Sequence, residues 1–315
     1  MKVREQSSTR EVYGKTLVAL GKENPDIVVL DADLSKSTMT QFFAREFPHR
    51  FFDCGIAEQN MIGIAAGLAA SGKIAFASTF AVFATGRCYD QLRMSVAQPR
   101  HDVKVVATHG GISVGEDGLS HHSIEDLALA CSLPGFTVVV PADAIETAQV
   151  IRVAAATRGP FYVRLGRLKT PLILGDDYQF VLGEAATLRQ GIDATIIACG
   201  LMVARALEAA ENLSQQGIDC RVLNMSTIKP LDIEAIVLAA NETEAIVTAE
   251  EHLEHGGLGS KVAQVVVQHW AVPMAFVAIK DVFAKSGTPD ELLQRYGLTA
   301  AEIEKAVKAT VLRKK

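Results

Sequence analysis

The sequence predicts an α/β fold of two doubly wound domains with mostly parallel sheets, on two observations. Continuous apolar and β-branched runs, such as Ile27-Val28-Val29-Leu30 and the run from Val103 to Thr108, alternate with segments of helical periodicity. A strand apolar on both faces is one buried between helices, as in a parallel sheet whose crossovers cover it on each side. The second observation is a lapse in that alternation between Gly166 and Gly183, where RLKTPLILGDDYQFVLG brings in a proline, two acids and a glycine. The lapse divides the chain into a first domain at 1–168, a linker at 169–185 and a second, smaller domain at 186–315.

The elements follow in order. A helix is expected over 10–24, ending near Gly21, then a strand at 27–30 that stops at the hydroxyl-rich loop from Asp31 to Thr38. The stretch around which the first domain is organised comes next. Phe51 and Phe52 read as a short strand, Asp53-Cys54-Gly55 as a sharp turn, and Ile56 and Ala57 as the start of a helix. Met61, Ile62, Ile64, Ala65, Ala66, Leu68 and Ala69 make that helix apolar on nearly every face, so it is expected to be buried. A strand at 73–79 runs up to Phe80 and Phe83. A helix at 85–97, a strand at 103–108, a helix at 124–132, a strand at 136–140, a helix from Asp143 and a strand at 161–165 complete this half. The second half alternates again, with strands at 194–199, 220–225, 245–249 and 274–279 and helices at 201–216, 231–240 and 260–270. A C-terminal helical pair closes the chain, its last member opened by Thr299 with Glu302 three residues on, the pattern of a capping box.

Composition narrows the function classes. With 49% hydrophobic and 21% charged residues, the 315-residue chain is an ordinary globular α/β sequence. A net charge of -5, with Arg313-Lys314-Lys315 as the one basic cluster, argues against a nucleic-acid surface. The five cysteines are scattered through apolar runs without a CxxC, which fits reduced thiols in a cytoplasmic protein. MKVREQSSTR has no apolar core of the kind a signal peptide needs, and no apolar run reaches membrane-spanning length.

The candidate chemistry lies where strands end. Glu58 falls in the first turn of a helix at the carboxyl end of a strand, where open α/β sheets form their ligand crevices. A carboxylate there is also an ordinary partner of the helix dipole. The densest polar group is the loop holding His109, Glu116, Asp117, His121 and His122 among Gly110, Gly111, Gly115 and Gly118. Glycines let a backbone approach a ligand, and imidazoles beside carboxylates suit proton transfer and hydrogen bonding to sugar or phosphate oxygens. A zinc site is the rival reading, but the spacing matches no zinc signature; a plain surface loop is the other. Arg164 and Arg167, at one strand and its exit, suit either anion recognition or structural ion pairs. Glu250-Glu251-His252 reads as a helix-start cap or an interface contact.

DADLSKS, FFDCGIAEQNMIGIAAGLA, STFAVF, THGGISVGEDGLSHHSIEDLA, VVVPADAIET and PFYVRLGR together resemble the pyrimidine-binding domain of transketolases. The remainder resembles the transketolase C-terminal domain, so the likeness covers essentially the whole chain. Family members bind thiamine diphosphate through a GDG…N signature in an N-terminal domain that also holds the metal, and no such domain precedes Met1. The resemblance therefore implies the C-terminal subunit of a split transketolase. Its implied partner is an N-terminal subunit carrying the GDG motif, which supplies the Mg2+ or Ca2+ ligands. The implied assembly is a homodimer core within a two-plus-two heterotetramer.

Carried over residue by residue, Glu58 matches the glutamate that hydrogen-bonds the aminopyrimidine of thiamine diphosphate and promotes the imino form that activates the thiazolium. Phe80 and Phe83 match aromatics that pack on the pyrimidine, and Asp33 an acid near the cofactor. The family's tyrosine three residues beyond Phe83 is Gly86 here, with Arg87 and Tyr89 nearby. Arg10, Ser37, His109 and Arg167 match residues that hold a sugar phosphate, and Asp117 and His121 residues that bind donor and acceptor hydroxyls. His109 and His121 are thereby implied, with Glu58, as catalytic groups.

Two departures keep alternatives open. Glu250-Glu251-His252 with HGGLGS, and Arg164 in a PxxxRxxR pattern, look more like 1-deoxyxylulose-5-phosphate synthase or the thiamine subunit of 2-oxo-acid dehydrogenases. A non-catalytic ligand-binding or regulatory module on the same fold is the alternative of another class.

Overall fold

The computed structural model describes residues 5–314. Lys315 of the C-terminal basic cluster and residues 1–4 of the N-terminal stretch lie outside the described residues. In the first half the strands are β1 (Gln6–Ser8), β2 (Ile27–Asp31), β3 (Phe51–Asp53), β4 (Ile74–Phe80), β5 (Val103–Thr108), β6 (Thr137–Val139), β7 (Phe161–Arg164) and β8 (Lys169–Pro171). The second half adds β9 (Ala186–Arg189), β10 (Ala194–Ala198), β11 (Cys220–Asn224), β12 (Thr227–Lys229), β13 (Ile246–Leu253) and β14 (Met274–Ile279). A seven-stranded sheet runs β12-β6-β7-β5-β4-β2-β3 and a five-stranded sheet runs β14-β13-β10-β11-β9. Both are parallel except at one edge each, where β12 and β9 pair antiparallel. The fold is thus mixed α/β with mostly parallel sheets.

The central strands are those with the continuous apolar runs. All residues of β2, β5, β7 and β10 are buried, because helices cover both faces of each sheet. The strands that the sequence did not announce (β1, β8, β9 and β12) are three or four residues long and antiparallel. β12 comes from the second half of the chain yet extends the first sheet beside β6, and the Val140 amide donates to the Ser226 carbonyl at 2.7 Å. Asn224 likewise reaches Glu146 at 2.9 Å. The stretch at 169–185, expected as a linker, contributes β8 and is tied to the helix Ala144–Ala156. Ile173 and Leu174 donate to Asp143, Gln149 donates to the Tyr178 carbonyl, and Tyr178 donates to Glu146.

Several elements depart from expectation for identifiable reasons. The first helix runs Thr9–Glu23, straight through Gly21. Gly21 is there for space: a Cβ on it would come within 2.6 Å of the rings of both Phe43 and Phe47. The loop after β2 is partly helical at Ser35–Thr38. It is held by buried Asp31, whose carboxylate accepts from Leu34 N–H at 2.6 Å, Thr38 at 2.7 Å and Thr40 at 2.9 Å. In place of one helix at 85–97 the chain forms Ala81–Gly86, a short turn at Tyr89–Gln91 and a wider π-type winding at Leu92–Ala97. Gly86 is the weakest helix former in that stretch, and the break follows it.

The helix Glu58–Ala70 buries only one side. Met61, Ile62, Ala65 and Ala66 pack into the core, while Gly63, Ile64 and Gly67 are exposed. Apolar residues all round do not bury a helix when nothing among the described residues covers its second face. Ile56, just before it, is 79% exposed. All five cysteines are free, and no helix among the described residues is long and apolar enough to cross a membrane.

Candidate functional site

Five strands of the first sheet deliver the candidate residues to one edge. β2 ends at Asp31 and leads to Asp33 and Ser37; β3 leads to Glu58; β4 ends at Phe80; β5 ends at Thr108, next to His109; β7 leads to Arg167. Parallel strands end on the same side, so the sheet gathers these side chains at its carboxyl edge.

Glu58 opens its helix with only 5% of its surface exposed. Arg87 Nη1 donates to Glu58 Oε1 at 2.7 Å, and the Arg87 guanidinium carbon lies 4.0 Å from the centre of the Phe83 ring. A cleft of about 580 Å³ beside them is lined by Ile56, Ala57, Glu58, Gln59, Asn60, Gly86 and Arg87. At Gly86, the position flagged for its missing aromatic, a Cβ would meet nothing within 4 Å. Phe80 and Phe83 stack with centroids 5.8 Å apart. Phe80 in turn stacks on His109 at 3.7 Å, and the His121 ring meets Phe83 edge-on at 5.3 Å. One aromatic surface therefore joins Glu58, through Arg87 and the two phenylalanines, to both histidines.

His109 is buried, adopts a left-handed backbone (φ 59°) and shares a hydrogen bond of 2.8 Å between Nδ1 and the Thr108 hydroxyl. Burial first, then the charges of Arg10 and Arg167, lower its pKa from 6.5 to about 3. The ring is neutral at physiological pH, so it serves as a hydrogen-bond donor and acceptor rather than a cation. A pH dependence follows. Between 6.5 and about 3 the unfolded chain binds a proton at His109 that the folded chain refuses, so stability falls as pH falls through that window. His109→Asn is expected to remove that contribution, a slope of up to about 1.4 kcal/mol per pH unit relative to wild type in urea unfolding.

The polar end of the crevice is cationic. Arg10 donates to the carbonyls of Ser37 and, at 3.0 Å, Arg167. Its buried Nε has no partner among the described residues. Burial and the neighbouring charge of Arg167 lower the Arg10 pKa. Arg167 donates to the Val114 carbonyl and lies 3.6 Å from both Glu116 and Asp117. Two guanidiniums held together, one with a donor to spare, suit an anion, although Arg167 also faces two carboxylates. Asp33, in the loop after β2, donates its N–H to Asp53 at 3.1 Å, and its side chain is exposed. Among the described residues no group of three or more His, Cys, Asp or Glu is placed to hold a metal ion.

The glycine-rich loop is held from below by the second half of the chain. Glu251 on β13 accepts from the Ser113 N–H at 2.6 Å and faces Gly111, where a Cβ would collide with its carboxyl group. Buried Arg164 donates to the Glu251 carbonyl at 2.8 Å and the Ser123 carbonyl at 3.0 Å, with Asp126 at 3.2 Å. Glu250 accepts from Leu258 and Gly259 N–H at 2.7 Å each, at the start of the helix Leu258–His269, and His252 accepts from the Ala128 N–H at 3.3 Å. Arg164 and the Glu250–His252 triplet are thus internal supports, away from the crevice mouth. A cavity of about 30 Å³ between Ser113, Arg164, Cys199 and Glu251 has room for about one water and none for a sugar. Sequence reasoning passed over Arg87 as a site residue; its signal was the Gly86-Arg87 pair where an aromatic was expected.

Comparison with known proteins accords with this layout. Residues 5–171 match the transketolase pyrimidine binding domain and residues 183–303 the transketolase C-terminal domain. A putative transketolase C-terminal section of Methanocaldococcus jannaschii is 47% identical over 301 residues, covering 95% of this chain and 94% of that protein. A 6-deoxy-6-sulfo-D-fructose transketolase subunit of a Clostridium species (strain MSTE9) is 41% identical over 310 residues, covering 98% and 96%. Among solved structures, a split-gene transketolase described as an inactive beta4 tetramer superposes with a TM-score of 0.92 at 51% identity, covering 98% of this chain and 99% of the other. With both halves matched in order and relatives this similar over nearly their full length, the chain belongs to the transketolase family.

Proposed function

We propose that the chain is the C-terminal subunit of a split, thiamine-diphosphate-dependent transketolase. In this reading it transfers a two-carbon ketol unit from a ketose to an aldose, together with a separate subunit that binds the diphosphate and its Mg2+ or Ca2+. The observation that carries the proposal is the chain of contacts from Glu58 through Arg87, Phe83 and Phe80 to His109 and His121, with the charges of Arg10 and Arg167 acting on His109. The crevice is open beside Glu58, where Ile56, Ile64 and the bare Gly63 and Gly67 face outward, as a site with a second wall on another chain requires.

The residues fit the implied cofactor. A flat guanidinium already lies on Phe83 with an in-plane N–H on Glu58, so a flat heterocycle with an N–H finds the same stacking face and the same acceptor. Bound there, thiamine diphosphate would supply the nucleophilic carbon that two-carbon transfer needs. Glu58 shares a proton with the ring nitrogen, and the two phenylalanines fix the ring plane. Neutral His109, with His121 and Asp117, orients sugar hydroxyls and moves protons to and from them. Arg10 and Arg167, with Ser37, hold the anionic end of the sugar, a phosphate or a sulfonate. Asp33 is assigned to the cofactor side of the crevice.

The synthase-like and dehydrogenase-like alternatives rested on Arg164 and on Glu250–His252, and the hydrogen bonds of these residues lie inside the protein. The assembly proposed is cytoplasmic, with two such chains and two partners. Isolation of the protein from its native cells under mild conditions should bring down a second polypeptide with the GDG signature, and thiamine diphosphate with it. Recovery of the chain by itself, with no affinity for thiamine diphosphate, would contradict the proposal and favour a binding module.

A further inference from the structure

Arg87 has no task in the mechanism above, yet it lies in the middle of the crevice. A guanidinium is planar, carries its N–H donors in the plane and offers a face to aromatic rings. Here both properties are used at once: Nη1 meets Glu58 at 2.7 Å and the group lies 4.0 Å over Phe83. We infer that Arg87 occupies the seat of the cofactor's pyrimidine ring and sets the chain's affinity for it, the guanidinium and the ring competing for Glu58 and Phe83. The inference rests on the thiamine reading given above.

The surroundings allow the side chain to leave while the backbone stays. The Arg87 side chain is 48% exposed, whereas Glu58 is 5% exposed and keeps its place in the helix. Gln59 Nε2 donates to the Arg87 carbonyl at 2.9 Å, anchoring the main chain at the root of the side chain. Next to it, Gly86 leaves open space where a side chain would otherwise stand, and the cleft lies alongside. Neither contact of the guanidinium is strong at so exposed a position. The seat is therefore free for a fraction of the time, and the apparent dissociation constant is the intrinsic one divided by that fraction.

The test is calorimetric titration of the chain, assembled with its co-purifying diphosphate-binding subunit, with thiamine diphosphate and Mg2+, comparing wild type, Arg87→Ala, Glu58→Gln and the double variant after their thermal unfolding is shown to be alike. Arg87→Ala is expected to bind about fivefold to tenfold more tightly than wild type, as removal of a competitor from the seat requires. The gain should shrink in the Glu58→Gln background, where Arg87 loses the charge of one of its two partners and keeps the stacking face of the other. Equal or weaker binding by Arg87→Ala overturns the inference and leaves the thiamine reading standing; weaker binding would make Arg87 a supporting contact of the ring. Absence of binding by every variant, wild type included, overturns both.

Discussion

Glu58→Gln is expected to lower turnover of the reconstituted enzyme by about a hundredfold to ten-thousandfold, the usual contribution of a positioned acid–base group. The substitution keeps size and a hydrogen-bond acceptor for Arg87 and removes the charge and the ability to share a proton; the ion pair to half-exposed Arg87 contributes little, so the fold should be unaffected. A carboxylate that merely partnered the helix dipole would contribute about 1 kcal/mol of stability or less and nothing to rate. The two roles are therefore separated by measuring kcat and urea midpoint on the same variant. A lowered midpoint with unchanged kcat would return Glu58 to an ordinary helix-start residue. Loss of kcat with an unchanged midpoint is the predicted outcome.

The second large effect concerns the support of the glycine-rich loop by the other half of the chain. Glu251→Ala deletes the acceptor of the Ser113 N–H and takes a negative group away from the surroundings of buried Arg164. Leaving a buried N–H without its acceptor costs about 1–3 kcal/mol, and here the group left unpaired is the Ser113 amide, since Arg164 keeps Asp126 and the two backbone carbonyls. A clear drop in urea midpoint is expected, with faster amide exchange at 111–123. Glu251→Gln, which still accepts from Ser113, should lose much less. If Glu251→Ala left loop exchange and midpoint unchanged, the second domain would have no part in holding the loop.

Much of the fold was legible because the central strands are uniformly apolar. Ile27–Asp31 and Val103–Thr108 are buried along their whole length, and helices on both faces are the only way to bury them. What escaped were the three- and four-residue antiparallel edges, which are too short to show a period. β12 in particular is defined by its partner β6 in the other half of the chain, a pairing no local pattern encodes. The helix Glu58–Ala70 was read as buried because its composition is apolar throughout. Composition records what a face tolerates, and nothing among the described residues covers Ile64, Gly63 and Gly67.

The candidate site was legible residue by residue through family motifs, and Glu58, Phe80, Phe83, His109 and His121 fall on one surface. The triplet Glu250–His252 reads as a helix-start cap or an interface contact, and Glu250 does hold the start of the helix Leu258–His269. Two acids and a histidine in sequence look like acid–base machinery, but alternate residues of a strand face opposite ways. Their partners, the Leu258 and Gly259 amides, Ser113 and Ala128, come from three different places. Arg87 was hidden for a different reason. It stands one residue past the position where a family aromatic was sought, and only the fold lays its guanidinium across Phe83.

The measurement that tests the central claim most directly is the initial rate of two-carbon transfer between a ketose phosphate and an aldose phosphate. It would be taken for the purified chain, for its co-purifying polypeptide and for the two mixed, each with and without thiamine diphosphate and Mg2+. The account predicts no turnover by either chain alone and cofactor-dependent turnover by the mixture, saturating near equal amounts of the two. Full turnover by this chain alone would contradict it, since the crevice beside Glu58 would then need no second wall.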